Sequence, residues 1–481
     1  MEKEKKTWYK KKRYILPLFI FLIVLSVMLY HNNKPLPEGI STEGDIHTLE
    51  DVTFLYDLTY QTHDGEVKHE RRIFDAIYKA IEEAEQFVIV DMFLFNGYYD
   101  KEADFPRISE VMTEKIIQQK EKHPELEVIF ITDEINTTYG SHPAKELEKM
   151  KDHGVKVVIT NLDRLRDPNP LYSGVWRSFF QWFGEAGPGW VKNPLAENAP
   201  DVTVRSYLKL LNVKANHRKI LATEKTAIVS SANPHDASGN HSNIAFQMEG
   251  NIIQDIVKAE EAVGKFSNGP SQFPKLEQPF EEGGSIKAQF LTEGKITKHV
   301  VKELKATKEG DEIWIGMFYL ADRKVINAIT GAARRGVHVK MVLDPNQNAF
   351  GSEKIGLPNL PVAAELKELG EENMKIRWYK TDKEQFHSKL LYIKKQTSSV
   401  IIGGSANYTS RNLDDFNLEA DVKLVAPSTS EISQEVDQYY HRIWENKDGV
   451  YTVDYEEYQD KLPFLKYIVY IIQKTFRFET Y

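Results

Sequence analysis

The sequence of 481 residues contains no cysteine, which excludes disulfide frameworks, cysteine-ligated zinc modules and cysteine nucleophiles. It also lacks an excess of positive charge, since 62 Lys and Arg residues against 71 Asp and Glu residues give a net charge of −9. This balance argues against an extended nucleic-acid groove. Hydrophobic residues make up 41% of the chain, enough for a large packed core and too many for a disordered chain. The length allows about three domains or two large halves.

The N-terminus combines a basic cluster with an apolar run. Seven Lys and Arg residues lie within residues 1–13, and the uncharged stretch YILPLFIFLIVLSVMLY follows at 14–30. As a helix this run spans about 25 Å, at the short end for crossing a bilayer. We therefore predict a cytoplasmic basic tail (1–13), a single-pass transmembrane anchor (14–30) in the cell membrane, and an extracytoplasmic remainder. A cleaved signal peptide is disfavoured by the residues HNNK after the run, and a buried soluble helix by the basic cluster.

The rest of the chain reads as a linker followed by two similar halves. Residues 31–50 are rich in Pro, Gly and Glu and are predicted to be a linker. Residues 73–95 and 296–320 each show helical periodicity and then a β-rich run ending Met-Phe-(Leu/Tyr), the sign of a weak internal repeat. Alternating helices and strands predict an α/β fold with βαβ units and a buried, largely parallel sheet. We place half one at 51–272 and half two at 283–450.

One motif occurs near the end of each half. A His-x-Lys opens an apolar strand, a second strand follows, and a turn of small residues ends in Ser-Ala-Asn. The two copies comprise His217, Lys219, Ser231 and Asn233 in half one, and His387, Lys389, Ser405 and Asn407 in half two. Positions i and i+2 of a strand share a face, so each His and Lys should point the same way.

This residue set suits phosphodiester chemistry. One imidazole can attack phosphorus while the other protonates the leaving oxygen and then activates the acceptor. Lysines and asparagine amides can stabilise the charge on the phosphoryl oxygens, so the pattern predicts neither a metal nor a cofactor. A third His-x-Lys at His338 and Lys340 has no Ser-x-Asn turn after it, and we interpret it as an ordinary strand.

The paired motifs resemble the duplicated HxK(x)4D…GSxN motif of the phospholipase D superfamily, over about residues 51–450. The resemblance implies two α/β/α sandwich halves with pseudo-twofold symmetry around one active site, and catalysis through a covalent phosphohistidine. It implies that His217 is the nucleophile and His387 the general acid/base. It further implies that Lys219, Lys389, Asn233 and Asn407 hold the phosphate.

Some positions depart from the family pattern or leave alternatives open. Glu224 and Lys394 stand where the family motif has Asp, a residue that is usually structural in the family. In half two, Glu419 of an Asn-x-Glu sequence could fix the tautomer of His387. In half one, counting from Asn233 retains Asn243 but places Ala245 at the acidic site, whereas counting from His217 lands on Glu249.

The substrate class follows from the anchor and from the apolar segments. Residues 171–190 hold six Trp and Phe side chains that could enter a lipid headgroup region or pack as an insertion in the core. The C-terminal extension, 451–481, could likewise lie on the membrane or pack on half two. Together with the resemblance, this favours a membrane phospholipid substrate and a cardiolipin-synthase-like phosphatidyltransferase or a hydrolytic phospholipase D. A membrane-anchored metal-independent nuclease and a lipid-binding scaffold are the alternatives; the acidic balance predicts no nucleic-acid partner.

Overall fold

The computed structural model of the protein describes residues 2–99, 105–349, 352–354 and 356–458. The chain begins with helix α1 (Glu2–Asn33), which contains the apolar run. Its stretch Arg13–Asn33 is long and apolar enough to cross a membrane. The predicted C-terminal apolar segment lies largely outside the described residues, from 459 onward.

The elements of the first half follow a short strand, β1 (His47–Leu49). The strands are β2 (Val52–Gln61), β3 (Val67–Glu70), β4 (Phe87–Met92), β5 (Glu127–Thr132), β6 (Lys156–Ile159), β7 (Lys219–Thr223), β8 (Ala227–Ser230) and β9 (Asn243–Met248). The helices are α2 (Ile73–Glu83), α3 (Ile108–Lys122), α4 (Lys145–Asp152), α5 (Pro170–Phe179), α6 (Val204–Leu210) and α7 (Ile252–Phe266).

The second half repeats the alternation of strands and helices. Its strands are β10 (Ile286–Thr292), β11 (Glu312–Met317), β12 (His338–Leu343), β13 (Asn348–Ala349), β14 (Ser352–Glu353), β15 (Met374–Tyr379), β16 (Lys389–Lys394), β17 (Ser398–Gly404), β18 (Ala420–Pro427) and β19 (Thr452–Asp454). Its helices are α8 (Gly294–Lys305), α9 (Arg323–Arg334), α10 (Asn359–Glu368), α11 (Ser410–Leu413) and α12 (Glu431–Glu445).

Each half is built on one large sheet, and the two sheets share a seven-strand order. The first sheet runs β3-β2-β9-β8-β7-β4-β5-β6, and the second runs β1-β10-β18-β17-β16-β11-β12-β15-β19. Without the outer strands β3, β1 and β19, each strand of one sheet has its counterpart in the other. The predicted duplicated α/β fold is thereby confirmed.

The expectation of a largely parallel sheet is wrong, because both sheets are mixed. In the first sheet, β4, β5 and β6 pair in parallel, whereas β7 pairs antiparallel with both β4 and β8. Helical crossovers separate the parallel strands, and parallel pairing requires such connections. The motif strand β7 is instead joined to β8 by a tight turn, which permits only antiparallel pairing.

The core consists of apolar faces on both sides of each sheet. Every residue of β4, β7 and β8 is buried, as expected for central strands that are covered on both faces. On the outer side of the first sheet, α2 turns Ile73, Ile77 and Ile81 toward the strands. The inner faces of the two sheets, with α7 and α12, form a single apolar cluster that joins the halves.

Two features tie the halves together further. Buried Arg218 of half one pairs with Glu260 at 2.9 Å and with Glu293 of half two at 2.6 Å. The segment 31–50, predicted to be a linker, contributes β1, which pairs antiparallel with β10. Strand β1 extends the second sheet by pairing with β10, whose backbone groups on that side would otherwise be an unpaired sheet edge. Amino-acid composition does not reveal such a pairing.

Candidate active site

The two motif histidines meet where the halves face each other, and backbone hydrogen bonds across the halves hold them there. The amide of His217 donates to the carbonyl of Leu418 at 2.9 Å, and the amide of His387 donates to that of Ser242 at 2.8 Å. The centroids of the two imidazole rings are 6.4 Å apart. Each histidine therefore takes its position from a strand segment of the opposite half.

A carboxylate that follows β5 or β12, two positions from the motif strand in its sheet, holds each motif from within its own half. Asp133 accepts from the amide of Asn216 at 2.6 Å, and Asp344 accepts from the amide of Phe386 at 2.7 Å. Both aspartates are buried, and desolvation raises their pKa values, to about 8 for Asp133 and about 7 for Asp344. They hold the residue just before each histidine, which sets the direction of the imidazole.

The ring nitrogens Nδ1 have different partners. Nδ1 of His217 lies 3.0 Å from the carboxylate of Glu419, and Nδ1 of His387 lies 3.1 Å from the amide oxygen of Asn243. The expectation that Glu419 orients His387 is therefore wrong: Glu419 serves the histidine of the other half. The reason is the backbone pairing of Leu418 with residues 215–217, which places the next residue beside His217.

The serines of the two Ser-Ala-Asn turns hold these orienting groups. The hydroxyl of Ser231 donates to the side-chain oxygen of Asn243 at 3.0 Å, and the hydroxyl of Ser405 donates to the carboxylate of Glu419. Asn412 also donates to Glu419. Burial raises the pKa of Glu419 to about 8, although the charge of Lys219 and the two hydrogen bonds act in the opposite direction.

The two motif lysines are fully buried and symmetrically placed. Lys219 Nζ donates to the carbonyl of His217 at 2.6 Å, and Lys389 Nζ donates to that of His387 at 2.7 Å. Each ammonium lies about 5 Å above a phenylalanine ring, Phe93 or Phe318. Burial lowers the pKa of Lys219 to about 7, and burial together with the charge of Lys219 lowers that of Lys389. The pKa values of both histidines also lie well below the usual range, because the rings are desolvated and face the lysines.

The histidines open into a cavity of about 220 Å³ that also exposes Asn233 and Asn407. The amide oxygens of both asparagines are buried and have no hydrogen-bond partner among the described residues. An unsatisfied buried amide costs about 1–3 kcal/mol, so a polar ligand between them would be stabilising. His241 and Arg411 also line this cavity.

Other residues singled out in the sequence lie away from the cavity. Glu224, in the turn after β7, accepts from the backbone amides of residues 85–87 and closes the end of the sheet. Glu249 is exposed beyond the far end of β9. His338 is exposed at the start of β12, and Lys340 pairs with Glu312 at 2.7 Å.

Some cavity residues were missed by the sequence reasoning. Phe93 and Phe318 pack against the motif histidines with ring centroids 5.0 Å apart, and the repeated Met-Phe pair was the signal that could have found them. Asp133 and Asp344 stand in the acidic turn of each half. His241 and Arg411 have no counterpart in the repeat, so no internal signal pointed to them.

Comparisons with known proteins agree with this architecture. A family model described as "Cardiolipin synthase, PLD-like domain" matches residues 300–444, which contain the second motif. The crystal structure of phosphatidylserine synthase from Haemophilus influenzae Rd KW20 is similar, at 11% identity, over 94% of this chain and 98% of that chain, with a TM-score of 0.56. At this identity the likeness concerns the fold.

Two further structures are more distant. Polyphosphate kinase from Porphyromonas gingivalis aligns at 12% identity over 90% of this chain and 54% of that chain, with a TM-score of 0.44. The phospholipase D family member Nuc from Salmonella typhimurium aligns at 15% identity over 34% of this chain and 96% of that chain, with a TM-score of 0.26. No curated protein sequence is significantly similar to the chain.

The family match over residues 300–444 indicates an enzyme of the phosphatidyltransferase and phosphodiesterase type, and the solved synthase structure shares its duplicated fold. Within the second half, residues 300–444 carry a phospholipase D-like domain of the cardiolipin-synthase type.

Proposed function

We propose that this protein is a membrane-anchored phosphatidyltransferase that works through a phosphohistidine on His217. Its cardiolipin-synthase-like reaction transfers a phosphatidyl group from one phosphatidylglycerol to the glycerol hydroxyl of another. Water as the acceptor would give phosphatidic acid instead. The observation that carries the proposal is the unequal pair of histidines, with a carboxylate at Nδ1 of His217 and a neutral amide at Nδ1 of His387.

The carboxylate at Nδ1 supports His217 as the nucleophile. With Nδ1–H donated to Glu419, the lone pair of His217 Nε2 faces the cavity and can attack phosphorus. Phosphorylation of Nε2 places positive charge on the ring, and Glu419 at 3.0 Å stabilises that charge. His387 has no carboxylate at this distance among the described residues, so its ring suits a group that gains and loses a proton.

The reaction then proceeds in two balanced steps. His217 Nε2 forms a bond to phosphorus while the bond from phosphorus to the headgroup oxygen breaks, and His387 donates its Nε2 proton to that oxygen. Free glycerol leaves. In the second step His387 takes the proton of the acceptor hydroxyl, the acceptor oxygen bonds to phosphorus, and the bond to His217 breaks.

The remaining motif residues act on the phosphoryl oxygens. Lys219 and Lys389 bring two ammonium groups from opposite halves, and Asn233 and Asn407 line the cavity, where their amide N–H groups can donate to a phosphoryl oxygen. Such preorganised donors are worth most where charge develops in a desolvated site. An anionic phosphate raises the pKa values of both lysines and keeps them charged.

Arg411 supports a lipid acceptor. A transfer between two phospholipids brings a second phosphate close to the first. Arg411 lies in the same cavity, and its charge contributes to the lowered pKa of His217. A guanidinium is suited to a phosphate through paired hydrogen bonds, so we assign the acceptor phosphate to it.

The location of the enzyme follows from α1. The apolar stretch Arg13–Asn33 is able to span a membrane, and the basic residues before it favour a cytoplasmic N-terminus. We therefore infer a single-pass protein of the cell membrane with an extracytoplasmic catalytic region. Protease added to intact cells should cleave that region, and cleavage only after lysis would contradict this orientation.

The product decides the function. We expect the full-length protein in vesicles of labelled phosphatidylglycerol to form cardiolipin and free glycerol. Phosphatidic acid alone would identify a hydrolase, cleavage of DNA without a lipid product would identify a nuclease, and no product would identify a binding protein. His217→Ala should abolish turnover, while His338→Ala, at the exposed third His-x-Lys, serves as the matched control.

A substrate with a good leaving group separates the two histidines. A p-nitrophenyl ester of phosphatidic acid releases its phenolate without protonation. His387→Ala should therefore still give a burst of p-nitrophenolate and accumulate an acid-labile protein–phosphate bond. His217→Ala should give no burst, and the reverse pattern would exchange the two roles.

A further inference from the structure

Helix α5 and the segment after it present an exposed apolar surface. The helix buries one face, including Trp176, and leaves other apolar side chains open to solvent. We define the aromatic patch as Leu171, Val175, Phe179, Trp182, Phe183 and Trp190, whose exposed fractions run from 43% to 83%. Contiguous apolar surfaces of this kind on soluble proteins usually mark an interaction site.

The patch lies beside the predicted membrane anchor. The half-buried side of α1, with Val24 and Met28, packs on α5. A Cβ atom at Gly174 would lie 3.0 Å from Cβ of Met28 and 3.1 Å from the carbonyl of Val24, so glycine permits this close approach. The anchor and the patch-bearing helix therefore form one packed unit.

Hydrogen bonds lock the end of the anchor to the same region. The carbonyl of His31 accepts from the amide of Asp167 at 3.0 Å, and the side chain of Asn32 donates to the carbonyl of Asp167 at 3.0 Å. Lys34 Nζ donates to the carbonyl of Asp163 at 2.6 Å. The catalytic region is thus fixed at the end of α1 and does not hang from a flexible tether.

This packing sets the depth of the patch. Val24 lies six residues before Tyr30, the end of the apolar run, which is about 9 Å along a helix. If Tyr30 lies at the membrane surface, a helix in contact with Val24 lies about 9 Å below it, among the outer acyl carbons. Interfacial helices bury their apolar faces to about 5–10 Å, and Trp side chains favour this layer.

We propose that the aromatic patch inserts into the bilayer that α1 crosses and forms a second, monotopic membrane contact. This inference rests on the proposed membrane anchorage by α1. A second cavity of about 120 Å³ shares Phe93 and Leu94 with the catalytic cavity, and Leu195 and Ala199, which follow the patch in the sequence, also line it.

The absence of native cysteines makes the test direct. A Trp182→Cys variant of the full chain is labelled with an environment-sensitive fluorophore in phosphatidylglycerol vesicles. Val67→Cys is the control, because Val67 is 55% exposed on β3, at the opposite sheet edge from β6. We expect the label at 182 to be quenched by bromines on the acyl chains and to be several-fold less accessible to aqueous iodide than the label at 67.

Two outcomes would overturn the proposal. Equal iodide quenching at both positions in vesicles would show that the patch stays in water. Shielding that persists without lipid and rises with protein concentration would show that a second protein copy covers it.

A second variant gives a kinetic readout. Replacing Phe179, Trp182 and Phe183 by Ser should lower kcat/KM on vesicle lipid on the order of tenfold. Turnover of a water-soluble short-chain p-nitrophenyl ester should stay unchanged. If the variant and the wild-type chain are equally active on vesicles, insertion is contradicted and the phosphohistidine mechanism is unaffected. If the wild-type chain turns over neither substrate, the proposed function itself is contradicted.

Discussion

Glu419 lies 3.0 Å from Nδ1 of His217, although 202 positions separate the two residues and they belong to opposite halves. The equivalent contact of His387 is made by the neutral amide of Asn243. Two nearly symmetric halves thus give their histidines different electrostatic surroundings. This difference determines which ring can carry a covalent phosphate and which can exchange protons.

Replacing Glu419 by Gln should lower kcat by about 10³–10⁴-fold. The change keeps the size of the side chain but removes the charge that stabilises the phosphorylated ring, and loss of such a carboxylate has effects of this order in serine proteases. Rapid-quench measurement of the phosphohistidine should show slower formation. Glu249→Gln, at an exposed position, is the matched control; equal rates in the two variants would contradict the pairing.

Asn243→Asp should make His387 more basic. A carboxylate beside Nδ1 favours the charged ring and raises its pKa, so protonation of the leaving group should persist to higher pH by about 1–2 pH units. The measurement is the pH dependence of the first turnover. Asn240→Asp adds the same charge beside Arg71 instead, and a profile that shifts in neither variant would show that Asn243 does not tune His387.

Lys219 should set the basic limb of the pH profile. Its pKa is lowered to about 7 by burial, so the ammonium is lost as pH rises through 7 in the free enzyme. We expect kcat/KM to fall above about pH 7, and the limb of kcat to lie higher because bound phosphate favours the charged form. Lys219→Arg should remove this limb, since guanidinium stays charged. A limb unchanged in that variant would assign it to another group.

Arg411→Gln should affect the acceptor more than the donor. Loss of a charge-assisted hydrogen bond of about 1.5–3 kcal/mol corresponds to a rise of about 10- to 100-fold in KM for the acceptor lipid. Phosphatidic acid should then increase at the expense of cardiolipin. Arg334→Gln, on the exposed side of α9, should leave the product ratio as it is; an unchanged ratio in Arg411→Gln would exclude the acceptor assignment.

Arg218→Met should destabilise the contact between the halves. The change leaves Glu260 and Glu293 buried without their cation, at a cost of about 3–5 kcal/mol. Denaturant unfolding of the full chain in detergent should show an earlier midpoint. Lys79→Met, which breaks an exposed pair with Glu83, should have no measurable effect. Equal midpoints would mean that the buried network does not stabilise the fold.

The sequence was informative where the pattern is local. Helical and strand periodicity predicted the α/β halves. The pairing of β7 was not predictable in the same way, because apolar runs do not report strand direction. The same applies to β1, whose hydrogen bonds come from a distant sheet edge.

The partners of the motif histidines were beyond local patterns. Glu419 was singled out by its spacing from Asn407 and assigned to His387, the histidine of its own half, whereas its carboxylate lies beside Nδ1 of His217. Which ring it contacts depends on a backbone bridge between residues 216 and 418, a contact across the halves. Arg411 and His241 belong to one half each, so the repeat gave no signal for them.

Backbone bridges join residue 216 to 418 and residue 242 to 386. Each half therefore positions the motif histidine of the other. Neither half contains both a motif histidine and the side chain that faces its Nδ1. Because each histidine depends on contacts from the other half, neither half can be lost without disabling both histidines. One of the two residues at Nδ1 can nevertheless change, since His387 has Asn243 where His217 has Glu419. The two histidines of a duplicated fold can then take different chemical roles.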